Sequence, residues 1–204
     1  MVNQAPKRRG RPPAGGREAI LAAALQVIRE RGIARLTARE VAGIAGVSEA
    51  SVFYHYKDRA GLLQAVFAEG VAPLKALAAG GVQPGSDPRE VLTLYGRTLE
   101  KSLDQVLPVI AAAQSDAELR DALAGYMAEH DMGPHRGVAA LGAYFAGEQS
   151  AGRARADVDP CALAMMFIGA CYTRASQGQR PLPKAPLPPL EDIIEATVAA
   201  LGPT

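Results

Sequence analysis

The chain has 204 residues but no tryptophan, only two cysteines, three histidines and few aromatic side chains. Cys161 and Cys171 fall in one apolar segment. If that segment is helical, they lie about 15 Å apart along its axis, too far for a disulfide. The sequence therefore excludes a disulfide-rich secreted scaffold, and we expect both thiols to be reduced.

Long apolar runs are also scarce. The uncharged stretch "PCALAMMFIGACYT" is shorter than the roughly 20 residues that span a bilayer. Near the N-terminus, "AILAAALQVI" is followed directly by the charged "RERG", with no small-residue cleavage site. These features predict a soluble, cytoplasmic protein with no membrane partner.

Groupings typical of enzymes are missing as well: we find no paired carboxylates, nucleophile–base spacing or phosphate-binding loop. In "HDMGPH" the two histidines, His130 and His135, are five residues apart and do not share a helix face. We expect a solvated helix end there. The sequence thus predicts no metal, no cofactor and no catalytic residues.

Charge is present but unevenly distributed. Residues 1–66 carry eleven basic and five acidic side chains, a net of +6, whereas the remainder carries −5. The stretch "KRRGRPPAGGR", residues 7–17, is basic and rich in proline and glycine, which disfavour regular structure. It is either a solvated terminus or a flexible arm for an anionic partner.

Apolar residues recur at helical spacing throughout, and no segment alternates with period two, so the chain is predicted to be all-α. Thr37 and Glu40 form a candidate capping box, and Ser48, Asp58, Asp87 and Asp159 are candidate N-caps. The predicted helices cover residues 17–31 and 38–46, a third helix that follows the Ser48 cap, a fourth that runs from the Asp58 cap to the glycines at 80 and 81, and then 87–104, 106–114, 116–129, 134–150, 159–177 and 190 onward.

The gap "AGVS" between the second and third helices contains a glycine and is as short as a helix-turn-helix requires. On the third helix Val52 and Tyr56 share one side. The other side has no large aliphatic residue and suits a DNA major groove about 12 Å wide. It carries Ala50, Ser51, Tyr54 and His55.

The stretch "LTAREVAGIAGVSEASVFYHYKDRAGLL", together with "REAILAAALQVIRERG" before it, resembles the DNA-binding signature of the TetR (tetracycline-repressor) family. The resemblance implies an N-terminal three-helix helix-turn-helix domain followed by a helical ligand-binding and dimerisation domain. We place a flexible basic arm at 1–16, the DNA-binding domain at 17–63 and the C-terminal domain at 64–204.

The same resemblance implies which residues contact DNA. Glu49 could in addition accept a hydrogen bond from a cytosine amino group, or only complement the helix dipole. Thr37 could be only a cap, and Tyr56 is interpreted as core. Phe53 stands where the family commonly has a tyrosine facing phosphate, and Arg59 where it has a lysine. The candidate DNA-binding residues of the folded domain are Arg17, Thr37, Glu49, Ala50, Ser51, Phe53, Tyr54, His55, Lys57 and Arg59.

Within the arm, "RGRP" resembles the core of an AT-hook, which lies in the minor groove of A·T-rich DNA. A narrow groove has enhanced negative potential, so arginines on an extended backbone can enter it. Arg9 and Arg11 are therefore candidate minor-groove contacts.

In the C-terminal part, the helix from Pro160 is apolar nearly all round and needs two surfaces to pack against. One is its own domain; the other is a second subunit, or the helix is the centre of a monomeric bundle. The family dimerises through its last two helices, which implies an interface of Leu163, Met166, Phe167, Ala170, Ile194, Val198 and Leu201. It also keeps a ligand pocket, for which the candidates are Tyr95, Gln114, Tyr126, His130, Tyr144, Phe145 and Met165.

Together these features predict a homodimeric transcriptional repressor that binds a palindromic double-stranded DNA operator and responds to a small-molecule effector. Two alternatives remain open at this point: an all-α enzyme with an incidental basic N-terminus, and an architectural DNA-binding protein.

Overall fold

The computed structural model describes residues 16–81, 85–179 and 186–202. Within these ranges the chain forms helices joined by short turns, with no β-strand, which confirms the all-α prediction. A 3₁₀ turn, Ile33–Arg35, joins the first two helices. The α helices are α1 Gly16–Arg31, α2 Ala38–Ala45, α3 Glu49–Tyr56, α4 Arg59–Gly80, α5 Pro88–Ala113, α6 Ala117–Glu129, α7 Pro134–Ser150, α8 Pro160–Gln177 and α9 Leu190–Leu201.

The predicted caps are present at the starts of five helices. Each accepts a hydrogen bond from a backbone amide of the first turn, which would otherwise lack a partner. The capping box is incomplete, however. The Thr37 amide donates to the Arg35 carbonyl at 2.8 Å, and the Glu40 carboxylate pairs with Arg31 instead of reaching back.

One helix prediction was wrong: the segments 87–104 and 106–114 are a single helix, α5, with Pro108 inside it. Proline has no amide to donate to the carbonyl four residues earlier, and that carbonyl belongs to Asp104. The Arg29 guanidinium of α1 donates to it at 2.5 Å, and the Gln179 amide approaches it at 3.4 Å. These donors satisfy the carbonyl that Pro108 leaves free, so the helix continues.

The buried apolar side chains form two cores, and α5 belongs to both. The first core joins α1–α3 and the start of α4 to Val106, Val109 and Ala113 of α5 and to α6. The second packs Leu92 and Tyr95 of α5 against α7, α8 and α9. The boundary that we predict between residues 63 and 64 is therefore crossed by continuous packing.

Among the described residues, α4 is the one helix long and apolar enough to cross a bilayer by length and composition. That criterion alone is weak, because core helices also satisfy it. Leu62, Leu63, Val66 and Phe67 on α4 are buried in the first core, and Leu74 and Leu77 pack against the second.

We expect Leu92→Ala to lower the free energy of unfolding by about 2–5 kcal/mol, because Leu92 is fully buried and alanine leaves a cavity. Urea denaturation measures the change. Leu94→Ala is the matched control: Leu94 lies on the same helix but is 57% exposed, so its loss should change stability by no more than about 0.5 kcal/mol. Equal effects would contradict the assignment of this α5 face to the core.

Candidate nucleic-acid interface

A tight turn sets the angle between α2 and α3. Gly46 ends α2 with φ 67° and ψ 29°, a left-handed conformation that glycine adopts without a Cβ clash. Two residues later the Ser48 side chain accepts the Ser51 amide at 3.1 Å and starts α3. The helix-turn-helix predicted from "AGVS" is thus built from one left-handed glycine and one N-cap.

The two sides of α3 differ as the helical spacing predicts. Val52 and Tyr56 are buried in the first core. Phe53 and Tyr54 are 54% and 80% exposed, which is unusual for such large side chains. The outward surface also includes Glu49 and Ala50, which are exposed, and Ser51 and His55, which are half-buried.

Tyr56 links the end of α3 to the start of α1. Its hydroxyl donates to the Arg17 carbonyl at 3.4 Å, and burial raises the pKa of the phenol. The Arg17 side chain is exposed beside it. The core role interpreted for Tyr56 agrees with this placement, and Arg17 lies at the α3 end of the first helix.

Arg9 and Arg11 lie outside the described residues.

The turn between α3 and α4 holds the next candidates. Lys57 is exposed and has φ 49°, an uncommon value for a residue with a side chain, and its amide donates to the Phe53 carbonyl at 3.0 Å. Asp58 then caps α4 through the Gly61 amide at 2.7 Å. Lys57 is thereby fixed at the edge of the exposed α3 surface.

Two predicted phosphate contacts have other partners in the structure. The Thr37 hydroxyl accepts the Glu40 amide at 3.2 Å as an N-cap, although the residue is exposed. The Arg59 guanidinium lies 2.8 Å from a carboxylate oxygen of Asp116 and 2.5 Å from the Ile33 carbonyl. Thr37 therefore acts as an N-cap while remaining exposed, whereas both terminal nitrogens of Arg59 already have a partner within the fold.

Sequence reasoning missed Arg39. It is exposed on the first turn of α2, two residues after the Thr37 cap. Across the described ranges its side chain has neither a hydrogen bond nor an ion pair. The sequence signal that could have identified Arg39 is a basic residue in the first turn after the N-cap of a helix-turn-helix.

A cleft of about 260 Å³ opens between α4, α5 and α7. Of the predicted pocket residues, Tyr95 and Tyr144 line it, with their hydroxyls donating to the Gly137 carbonyl at 3.0 Å and the Ser86 carbonyl at 2.9 Å. Burial, and then the charge of Glu148, raise the pKa of Tyr144 to about 12, so it is neutral at physiological pH. The remaining lining residues are Leu77, Ala78, Gly81, Ala140, Ala143 and Gly147.

The other predicted pocket residues lie elsewhere. Phe145 is buried in the second core, and Met165 is exposed on α8. Tyr126 and His130 contact each other on α6, with ring centroids 4.2 Å apart, and Gln114 is exposed at the end of α5. The structure therefore brings together two of the seven candidates.

The predicted interface residues also divide between two environments. Leu163, Phe167, Ile194 and Leu201 are buried in the chain's own second core. Ala170 and Val198 are half-buried, and Met166 is 69% exposed. The exposed apolar surface of α8 is therefore the neighbouring stripe, formed by Met165, Met166, Gly169 and Tyr172.

Comparison with known proteins gives one family match. Residues 20–66 match the model of bacterial regulatory proteins of the tetR family. Over 57 residues the chain is 39% identical to the HTH-type transcriptional repressor BepR of Brucella suis biovar 1 (strain 1330). That match spans 28% of this chain and 27% of BepR, so the chain aligns with about a quarter of the length of this relative.

Solved structures resemble nearly the whole chain. NalD, the secondary repressor of the MexAB-OprM multidrug efflux pump in Pseudomonas aeruginosa, superposes with a TM-score of 0.64 at 19% identity, covering 92% of this chain and 95% of NalD. A TetR family transcriptional regulator from Pseudomonas syringae pv. tomato str. DC3000 gives 0.61 at 20% identity, covering 91% and 94%. At these identities the likeness shows a shared fold.

Proposed function

We propose that this chain, which belongs to the TetR family of bacterial regulatory proteins, represses transcription by binding a palindromic operator as a homodimer and releases it when a small molecule fills the cleft. The observation that carries the proposal is the exposed polar and aromatic surface of α3 behind a capped, glycine-containing turn. Such a protein acts in the cytoplasm, where its operator is.

DNA recognition is assigned to α3 and its surroundings. Ser51 and His55 can hydrogen-bond base edges, while Phe53 offers an apolar edge to a thymine methyl group. Thr37, Arg39 and Lys57 surround this surface and suit phosphate. Arg9 and Arg11 are proposed to enter the adjacent minor groove from the arm.

Dimerisation is assigned to the exposed stripe of α8. Methionine and tyrosine are enriched at protein interfaces, and the stripe leaves both types unpartnered within the described part of the chain. An added Cβ at Gly169 meets no atom within 4 Å, so a partner helix can approach closely there. A two-fold symmetric dimer formed through this stripe carries two α3 helices, one for each half-site of a palindrome.

The cleft is assigned to an uncharged effector. Among the described residues that line it, none carries a formal charge at pH 7, because Tyr144 stays protonated. The nearby Glu148 carboxylate is buried and already neutralised by Arg153 at 2.7 and 2.8 Å, and it also accepts the Gly85 amide. A charged ligand would lose its hydration without gaining a counter-ion. The tyrosine oxygens retain lone pairs that can accept a hydrogen bond from the ligand.

We expect Ser51→Ala or His55→Ala to cost about 1–3 kcal/mol at particular base pairs, because each removes a contact to a base edge. The measurement is binding to a palindromic duplex selected from a random pool by the wild-type protein, repeated on singly substituted duplexes. Ser150→Ala, on the exposed end of α7, is the control and should leave all affinities unaltered. A loss that is uniform over every sequence, including non-specific DNA, would contradict base readout by these residues.

The dimer assignment predicts that Met166→Glu gives a monomer in sedimentation equilibrium, because a charge in the middle of the α8 stripe has to be desolvated. Operator affinity should then fall about 10²–10⁴-fold, since two linked half-site contacts become one. Leu94→Glu places the same charge on a comparably exposed leucine of α5 and should remain dimeric. If Met166→Glu stays dimeric, the interface lies elsewhere.

The cleft assignment predicts that 2-naphthol, a neutral aromatic probe, raises the melting temperature more than 2-naphthoate or 2-naphthylmethylammonium. At a hundredfold excess over its Kd the stabilisation should be about 2.7 kcal/mol. Ala140→Phe fills the cleft and should abolish it, whereas Ala139→Phe, on the adjacent exposed position of α7, should not. Preferential stabilisation by a charged probe would contradict the proposed class, and stabilisation without a change in operator affinity would contradict the coupling.

A further inference from the structure

We infer that Arg59 positions the DNA-binding helices by binding Asp116 and does not itself bind operator phosphate. The inference rests on the proposed function, because it concerns how α3 is presented to DNA. The contact between Arg59 of α4 and Asp116 at the start of α6 is not part of the exposed α3 surface. The Arg59 side chain hydrogen-bonds to Asp116 and to the Ile33 carbonyl, and both of these partners lie outside α3.

The Arg59 guanidinium joins three parts of the fold. Arg59 is the first residue of α4; one terminal nitrogen lies 2.8 Å from Asp116 at the N-cap of α6, and the other donates at 2.5 Å to the Ile33 carbonyl. Its Nε atom is buried and has no partner among the described residues. The guanidinium thus bridges the 3₁₀ turn and the start of α6, while 36% of the Arg59 side chain remains exposed.

Asp116 is suited to fix this geometry. One of its oxygens accepts the Leu119 amide at 3.2 Å, and the other binds Arg59. The Leu119 amide and the guanidinium hold the pKa of this carboxyl below its usual range, so it is ionised at neutral pH. Because the cap fixes the carboxylate relative to α6, the ion pair fixes α4 and the 3₁₀ turn relative to the same helix.

The orientation of α2 and α3 follows from this contact. The 3₁₀ turn leads directly into α2, and the Leu36 amide donates to the Ile33 carbonyl at 3.0 Å, the same carbonyl that Arg59 binds. Farther along α4, Gln64 donates to the Ala122 carbonyl at 3.0 Å, so α4 and α6 are joined at two points. Loss of the Arg59 contact releases the end nearer to the recognition helix.

A direct phosphate contact is disfavoured by the same geometry. To reach DNA, the guanidinium would leave a carboxylate that is 26% exposed and a backbone carbonyl that is its acceptor. A partly buried charge without its partner is costly. Lys57, two residues earlier and exposed, has no such partner among the described residues and can supply the phosphate contact at this corner.

The test compares Arg59→Gln, Asp116→Asn and the double variant in binding to the selected palindromic duplex. Asparagine is itself a good N-cap, so Asp116→Asn removes the charge and keeps the start of α6. We expect each single variant to bind about tenfold more weakly with an unchanged salt slope, and the double variant to match Arg59→Gln, because the Arg59–Asp116 contact is already lost in either single variant. Asp121→Asn, an exposed site on α6 with the same charge change, should bind like the wild type or slightly tighter.

A second measurement needs no DNA, which separates this inference from the proposed function. Hydrogen exchange of the Arg35 and Leu36 amides should be several-fold faster in Arg59→Gln and in Asp116→Asn than in the wild type, and unaltered in Asp121→Asn. Unaltered exchange in Asp116→Asn would overturn the inference even if operator binding proved correct. It would also be overturned if Arg59→Gln reduced the salt slope by about one per subunit while Asp116→Asn bound as tightly as the wild type, the pattern of a phosphate contact.

Discussion

The fold depends on one constraint: α5 has to be buried in two cores at once. Its first half, with Leu92 and Tyr95, packs against α7–α9, and its second half, with Val106 and Val109, packs against the DNA-binding helices. A helix of 26 residues is about 39 Å long, so it reaches through both. Each of the two cores therefore depends on one half of α5, and the position of that half is fixed in part by the packing of the other half in the other core.

Apolar residues at helical spacing and N-cap residues were enough to predict most of the helices. Ser48, Asp58, Asp87 and Asp159 are recognisable caps because capping depends on residues two or three positions apart. The continuity of α5 through Pro108 was not predictable in this way. The donor that satisfies the freed Asp104 carbonyl is Arg29, 75 residues away, and only the fold brings it there.

In the candidate sites, too, local sequence patterns predicted some features and missed those that depend on contacts between distant parts of the chain. Helical periodicity separated the buried and exposed sides of α3, because that helix has one apolar side. On α8 periodicity could not show which side is buried, since both stripes are apolar. In the structure Leu163 and Phe167 are buried, whereas Met165 and Met166 are exposed. For Arg59 the family resemblance suggests a phosphate contact, and the structure adds a partner that the sequence did not indicate, Asp116, 57 residues along the chain. Charge alone does not determine which partner an arginine finds.

For the effector response that we propose, the shared helix offers a physical route from the cleft to the DNA-binding helices. Tyr95 lines the cleft, and Val109, fourteen residues farther along α5, is fully buried among the DNA-binding helices. At 1.5 Å per residue the two positions are about 21 Å apart on one continuous element. A ligand that prefers a different tilt of α5 at Tyr95 must therefore displace its other half, because packed cores respond as rigid pieces rather than by gradual deformation. Arg29 ties α1 to α5 through Asp104, and Arg59 ties α4 to α6 through Asp116, so in the proposed response these two ion pairs connect the DNA-binding helices to the rest of the fold.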